Sequence, residues 1–177
     1  RRSSSAASDV YKRQINNYTK AISKNPDNFF FYLERGRARQ DFGDFNGAID
    51  DFNNAFRINP DKRFLLYRAN AKFDFGDYDG AIKDYKNLIS MKDFKEQVFY
   101  NLASSQLINF NYEDSIVNYS KSIEYDHNDD YAYLNRGNAK FKTMDYLGSS
   151  ADYSKSIEIN KNSYITLNNR GVTKFKL

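Results

Sequence analysis

The single histidine of this chain, His127, is the first residue to consider for chemistry at a metal or a substrate. It lies close to Asp126 and Asp129, but the sequence has no cysteine. Zinc sites use three or four nitrogen and sulfur ligands, so one histidine without cysteine does not build a familiar one, and a solvated loop is the simpler reading. The motifs GxxxxGK[ST], GxGxxG and GxSxG are absent. We therefore expect no metal, no cofactor and no enzymatic activity.

Arginine and aspartate form a second chemical pattern, because both recur in matching columns along the chain. The one segment with Leu102 in the arginine column also has Asn118 in the aspartate column. A guanidinium beside a helix interface needs a carboxylate partner, since a buried unpaired charge costs several kcal/mol. The matched loss predicts internal ion pairs; the alternative is that the arginines bind an acidic ligand. The predicted pairs are Arg35–Asp51, Arg68–Asp84 and Arg136–Asp152.

These columns belong to a repeat with a period near 34 residues. A small residue recurs with spacings of 33, 34, 34 and 34, at Gly36, Ala69, Ala103, Gly137 and Gly171. Two aromatic columns keep the same rhythm, at Tyr18, Phe52, Tyr85, Tyr119 and Tyr153 and at Tyr11, Phe45, Tyr78, Tyr112 and Tyr146. A fixed period of this length is typical of stacked helix–turn–helix units, an architecture that usually binds other chains.

Apolar spacing within each unit predicts pairs of helices joined by tight turns. Gly43 and Gly76 stand between paired helices, where glycine takes a positive φ without strain. Phe110 and Met144 occupy the equivalent positions, so those turns should be strained or differently shaped, at about 1 kcal/mol each. The predicted helices are 15–24, 29–42 with 45–58, 62–75 with 78–90, 96–109 with 112–125, 130–143 with 146–159, and 163–177.

Residues 1–14, RRSSSAASDVYKRQ, do not fit the repeat. The string is similar to translated sequencing-adaptor sequence, so we expect a non-native leader; a disordered natural tail is the alternative. We expect the solenoid over 15–177 and, from its uncovered ends, a piece of a longer protein. Its predicted parts are a half repeat at 15–28, repeats at about 29–61, 62–95, 96–129 and 130–162, and a half repeat at 163–177.

The repeats resemble the tetratricopeptide repeat (TPR) family. The best copy is YLERGRARQDFGDFNGAIDDFNNAFRINP at 32–60, and 66–89 matches nearly as well, while 99–125 and 133–160 are degenerate. The resemblance implies an all-α, right-handed solenoid of antiparallel helix pairs. It also implies a protein–protein interaction scaffold whose first helices line a concave groove for an extended peptide or a partner helix.

Asparagines recur in two of the columns that the resemblance places in this groove. An asparagine amide can donate to a peptide carbonyl and accept from a peptide N–H, so a ladder of them could hold a peptide by its backbone. The alternative is that asparagine is abundant in this chain and falls on any exposed face. The predicted peptide-binding residues are Asn70, Asn101, Asn135, Asn138, Asn169, Arg37, Tyr100, Tyr131, Phe73 and Phe141.

Other partners are disfavoured by charge and motif. The net charge is +4, but basic and acidic residues are interleaved, so we expect no nucleic acid. Chaperone-tail-binding TPRs use a carboxylate clamp with lysine, and the corresponding column has none. We expect a protein or peptide partner, no small-molecule substrate, no membrane segment and a cytoplasmic location. The alternative function is the non-catalytic targeting arm of a larger multidomain enzyme.

Overall fold

The computed structural model describes residues 5–90 and 95–177, and within them the chain forms ten α-helices and no β-strand. The fold class predicted from the repeats, an all-α row of helix pairs, is therefore confirmed. The helices are α1 (Ser5–Lys24), α2 (Phe29–Phe42), α3 (Phe45–Ile58), α4 (Lys62–Phe75), α5 (Tyr78–Ser90), α6 (Lys95–Ile108), α7 (Tyr112–Tyr125), α8 (Asp130–Lys142), α9 (Tyr146–Ile159) and α10 (Tyr164–Lys176).

Helix α1 is the main departure from the predicted boundaries. It begins at Ser5, whereas the sequence pattern placed the helix start at Ile15. Ser5–Gln14 lack a regular apolar stripe but contain alanine, lysine, arginine and glutamine, which are good helix formers, so the helix extends through them. Residues 1–4 of the proposed leader lie outside the described residues, and its non-native origin stays a prediction.

Short polar residues and left-handed turns fix where the helices begin and end. Asp44, Asp129 and Asp145 each accept hydrogen bonds from the first turn of the helix that follows.

Left-handed turns end several of the helices. Gly43 and Gly76 close helices at φ of 94° and 92°. The other two turns were predicted to be strained, and Phe110 and Met144 do adopt left-handed φ values of 62° and 65°. These two turns therefore keep the geometry that glycine provides, at a cost in backbone strain.

The chain divides after Asp84, within α5, into two compact units. In the first unit α1, α2, α3 and α4 pack consecutively. Its core contains Phe52, fully buried against Ala48 and Ala71, and the Phe52 ring stacks on Tyr67 with centroids 5.6 Å apart. A Cβ added to Gly36 would lie 2.8 Å from the Phe52 ring. The absence of a side chain at Gly36 therefore leaves room for this ring of the aromatic column.

The second unit repeats this packing from α6 to α10. Consecutive helices pack in pairs, and α8 also contacts both α6 and α10, so these three helices lie side by side. Tyr119 is fully buried with Ala103, Ile123 and Ala132 around it. None of the described helices is both long enough and apolar enough to cross a bilayer.

Candidate functional site

The predicted ion pairs between the two helices of a repeat are confirmed. Arg136 in α8 donates from Nε and Nη2 to the two carboxylate oxygens of Asp152 in α9, at 2.9 and 2.6 Å. Arg35 and Asp51 form the same two-bond arrangement, and so do Arg68 and Asp84. Each carboxylate is almost completely buried, with its side chain at most 6% exposed. The geometry favours the internal pairing over an acidic ligand for these arginines.

A second cation completes each pair, which the sequence reading missed. Lys140 donates to Asp152 at 2.9 Å, Lys72 to Asp84 at 2.8 Å, and Arg39 to Asp51 at 2.8 Å. Each follows its arginine by one helical turn, so both point to the same carboxylate. The signal was present in the sequence as a basic residue four positions after the arginine in these three repeats.

The same arginines also reach backwards to the preceding repeat. Arg136 Nη1 donates to Ser120 Oγ in α7 at 3.0 Å, and Arg35 Nη1 donates to Thr19 Oγ1 in α1 at 3.1 Å. Arg68 Nη1 donates to Asn53 Oδ1 in α3 at 2.7 Å. One guanidinium therefore connects three consecutive helices.

The open face of α6, α8 and α10 brings together most of the predicted asparagines of the second unit. Asn135 Nδ2 donates to Tyr100 Oη at 3.2 Å, and Asn138 Nδ2 donates to Asn135 Oδ1 at 3.4 Å. Asn138 Oδ1 in turn accepts from Asn169 Nδ2 at 3.1 Å and from Tyr153 Oη at 2.8 Å. We call this chain of hydrogen bonds across α6, α8 and α10 the amide network.

The amide network is half-buried. Asn138 Oδ1 already accepts two hydrogen bonds, the number its lone pairs allow. The Nδ2 groups of Asn135, Asn138 and Asn169 each donate within the network, and an amide nitrogen can donate two hydrogen bonds. Side-chain amides of this kind can donate to a peptide carbonyl.

Burial also controls the tyrosines beneath this face. It raises the pKa of the Tyr100, Tyr119 and Tyr153 hydroxyls above the ordinary value for tyrosine. Tyr119 Oη shares a hydrogen bond of 2.8 Å with Ser104 Oγ, and Tyr153 Oη donates into the amide network. These hydroxyls are therefore neutral hydrogen-bonding groups at neutral pH.

The remaining predicted residues lie on the same helices of the second unit or in the first unit. Asn101 and Tyr131 lie on α6 and α8, Asn101 half-buried and Tyr131 59% exposed. Phe141 packs edge-on against Tyr146, with ring centroids 5.3 Å apart.

Three predicted residues lie in the first unit. Arg37 lies over the Tyr67 ring and donates a hydrogen bond to Glu34. Asn70 is half-buried, and Phe73 packs edge-on against Tyr78.

A cavity of about 440 Å³ opens beside the amide network in the second unit. Two network asparagines and Tyr153 form its polar side, and apolar side chains with one lysine form the rest. Its lining residues are Leu107, Ile108, Phe110, Tyr112, Asn138, Phe141, Lys142, Tyr153, Asn169 and Val172. Asn138, Phe141 and Asn169 of this set are among the peptide-binding residues that the sequence predicts.

His127 lies exposed in the loop before α8. Among the described residues there is no group of three or more histidine or acidic side chains placed to hold a metal ion.

Comparison with known proteins identifies the repeat and the fold. Residues 111–143 match the family described as TPR repeat. The structure is similar to YrrB, described as a TPR protein with an unusual peptide-binding site, at 15% identity and a TM-score of 0.75, covering 90% of this chain and 82% of that one. It is similar to MamA from Desulfovibrio magneticus RS-1 at 12% identity and a TM-score of 0.75, covering 89% and 97%. A search of curated proteins found no match.

A third similar structure carries a bound peptide. It is the first TPR domain of Spaghetti (RPAP3) bound to the HSP90 peptide SRMEEVD, at 20% identity and a TM-score of 0.62, covering 65% of this chain and 91% of that one. At these identities the likenesses show the fold, which is the stacked helix-pair fold that these TPR proteins share.

Proposed function

We propose that this chain, in which residues 111–143 match the TPR repeat family and whose fold is that of TPR proteins, is a protein-interaction scaffold that binds an extended peptide segment of a partner. The binding surface is the open face of α6, α8 and α10. The observation that carries the proposal is the amide network, which runs across all three helices and places side-chain amides on the face that they share.

The spacing of the network suits an extended backbone. Packed helices lie about 8–10 Å apart, and an extended chain advances about 3.3–3.6 Å per residue. An extended chain that crosses from Asn135 and Asn138 on α8 to Asn169 on α10 therefore spans roughly three peptide residues. Because the amides address main-chain carbonyls, the contribution of Asn135, Asn138 and Asn169 depends little on the peptide sequence.

Two of the similar structures support peptide binding on this fold, one described by its peptide-binding site and one bound to an HSP90 peptide. The chaperone peptide itself is not the ligand we propose. The column where a carboxylate clamp would carry lysine reads Leu33, Leu66, Tyr100, Leu134 and Asn168.

The proposal is tested with a library of random peptides displayed on phage. Peptides enriched on the wild-type protein are synthesised, and their affinities are measured by calorimetry on a variant with Asn135, Asn138 and Asn169 changed to alanine. We expect an affinity loss of about tenfold or more, since several hydrogen bonds of about 1 kcal/mol each are removed. The milder variant Asn169→Ala should lose part of this affinity.

The matched control changes Asn128 and Asn162, two exposed loop asparagines, to alanine. It should bind as the wild type does, and circular dichroism should show all variants helical. Failure to enrich any peptide, or unchanged affinity in the triple variant, would refute the peptide-backbone function.

A further inference from the structure

We propose that the cavity beside the amide network is a specificity pocket that takes one bulky apolar side chain of the bound peptide, with an aspartate or glutamate next to that side chain. This inference rests on the proposed peptide binding and adds to it a sequence preference. The amide network hydrogen-bonds to the main chain of the peptide, whereas the pocket selects one of its side chains.

The pocket has the size and lining that such a side chain needs. Its volume of about 440 Å³ falls in the range of about 300–1,000 Å³ that is usual for ligand sites. Leu107, Ile108 and Val172 contribute aliphatic surface, and Phe141 contributes an aromatic ring. A large aliphatic or aromatic group entering here would leave water along most of its surface.

The pocket is continuous with the amide network, because Asn138 and Asn169 belong to both. Tyr153 also lines the pocket while its hydroxyl donates to Asn138 Oδ1 at 2.8 Å. A peptide held by the amides of α8 and α10 therefore has a side chain directly over the cavity.

Phe110 and Met144 both close such turns without glycine, and of these two Phe110 lines the cavity. It holds a left-handed φ of 62°, and its side chain is 76% exposed. Gly43 and Gly76 make the corresponding turns of earlier repeats without strain and without an exposed ring. Strained backbone and an exposed aromatic ring both oppose folding, so the fold alone does not explain a phenylalanine here. As a wall of the cavity, the ring gains contact when a peptide side chain enters.

The ring of Phe110 is partly oriented before binding. It packs edge-on against Tyr112, with centroids 6.3 Å apart and an interplanar angle of 90°. Tyr112 is itself a lining residue, so the two rings form one wall. An oriented wall lowers the entropy that binding must spend on ordering side chains.

The positive charge of Lys142 favours an acidic residue next to the apolar side chain in the bound peptide. Lys142, in the last turn of α8, is the one charged residue among those lining the cavity. Its flexible stem lets the ammonium group stay at the solvent edge. A carboxylate beside the entering side chain is attracted to this ammonium group, and a lysine or arginine there is repelled.

The test uses peptides enriched from the phage-displayed random library on the wild-type protein, synthesised with amidated C-termini. Wild-type protein should enrich peptides with a large apolar residue next to aspartate or glutamate. Phe110→Gly should reduce the affinity for these peptides about tenfold or more. The variant keeps the fold because glycine suits a φ of 62°.

Met144→Gly is the matched control, since Met144 has the same turn geometry and exposure but does not line the cavity. It should bind the enriched peptides as the wild type does. Lys142→Glu should shift the library preference from acidic to basic neighbours.

The outcomes separate the two proposals. If peptides are enriched but bind Phe110→Gly and wild type equally, the pocket is refuted while peptide binding stands. Enriched peptides without an apolar–acidic pair also refute the pocket, and so does a preference that Lys142→Glu leaves unchanged. If no peptide is enriched, both proposals fail.

Discussion

Asn118 Nδ2 donates to Gln106 Oε1 at 2.8 Å, and this amide pair occupies the place where other repeats bury an aspartate between two cations. In the same repeat Leu102 replaces the arginine. Gln106 stands where the other repeats have the second cation. Leu102, Gln106 and Asn118 together therefore replace a charged cluster with a neutral one. A cavity of about 290 Å³ borders Leu102, Gln106 and Asn118.

This exchange predicts strong coupling between positions 102 and 118. Leu102→Arg alone places a guanidinium beside a neutral amide, and Asn118→Asp alone buries a carboxylate without its arginine, so each should destabilise the protein. The double variant should recover stability, with a favourable coupling energy of about 0.5–3 kcal/mol in a double-mutant cycle. Chemical denaturation of all four proteins measures it. Additive single effects would show that the site no longer accepts the pair.

The buried aspartates should be much more important for stability than exposed ones. Asp152→Ala leaves Arg136 and Lys140 without their carboxylate, and we expect a loss of about 3–5 kcal/mol in the free energy of unfolding. Asp84→Ala should behave in the same way. Glu158 is the control within the same helix, because its pair with Lys155 has both partners largely exposed, at 68% and 43%.

We expect Glu158→Ala to change stability by less than about 1 kcal/mol. Thermal or denaturant unfolding distinguishes the two variants. If Asp152→Ala unfolds at the same temperature or denaturant concentration as the wild type, the internal ion pair makes no net contribution to stability.

The small-residue column should respond to alanine in opposite ways at two of its positions. A Cβ on Gly137 would lie 2.7 Å from Tyr153 Cε1, so Gly137→Ala should cost about 1–3 kcal/mol through overpacking. A Cβ on Gly171 meets nothing within 4 Å, and Gly171→Ala should stabilise its helix by up to about 1 kcal/mol. Both are measured by denaturant unfolding, and equal effects would contradict the packing described here.

The buried tyrosines predict a loss of stability at alkaline pH. Burial raises the folded-state pKa of the Tyr100, Tyr119 and Tyr153 hydroxyls, whereas the unfolded chain ionises near pH 10. Above about pH 10 the unfolded state therefore binds fewer protons, and the free energy of unfolding falls as pH rises through the folded pKa values.

Tyr119→Phe tests this directly, because it removes one such hydroxyl. The decrease in the free energy of unfolding with rising pH should become shallower by up to about 1.4 kcal/mol per pH unit. Tyr164→Phe, at a position 82% exposed, is the control and should keep the wild-type slope. Denaturant unfolding at several pH values measures the slope, and identical slopes for the two variants would contradict the assignment.

Much of the fold was readable from the sequence because helix pairs repeat. A column such as Gly36 to Gly171 appears five times, so each boundary is read against its copies, and α2 to α5, α7 and α9 end where predicted. The start of α1 was misplaced because residues 5–14, apart from Tyr11, carry none of the repeating columns. Only general helix propensity applies there, and that does not define a boundary.

The site was less predictable than the fold. The periodicity indicated that Asn135, Asn138 and Asn169 share a face, but it gave no distances, so their mutual hydrogen bonds were not foreseen. The cavity depends on how far the rings of Phe110 and Phe141 stand from α10, and spacing along the chain does not encode that separation.

The guanidinium of Arg136, held by Asp152 on one side and Ser120 on the other, bears on how the repeats come apart. A fluctuation that frees the α8–α9 hairpin also breaks a bond to α7. Neighbouring hairpins thus share part of their opening free energy, and hydrogen exchange along this stretch should be cooperative rather than confined to single helices.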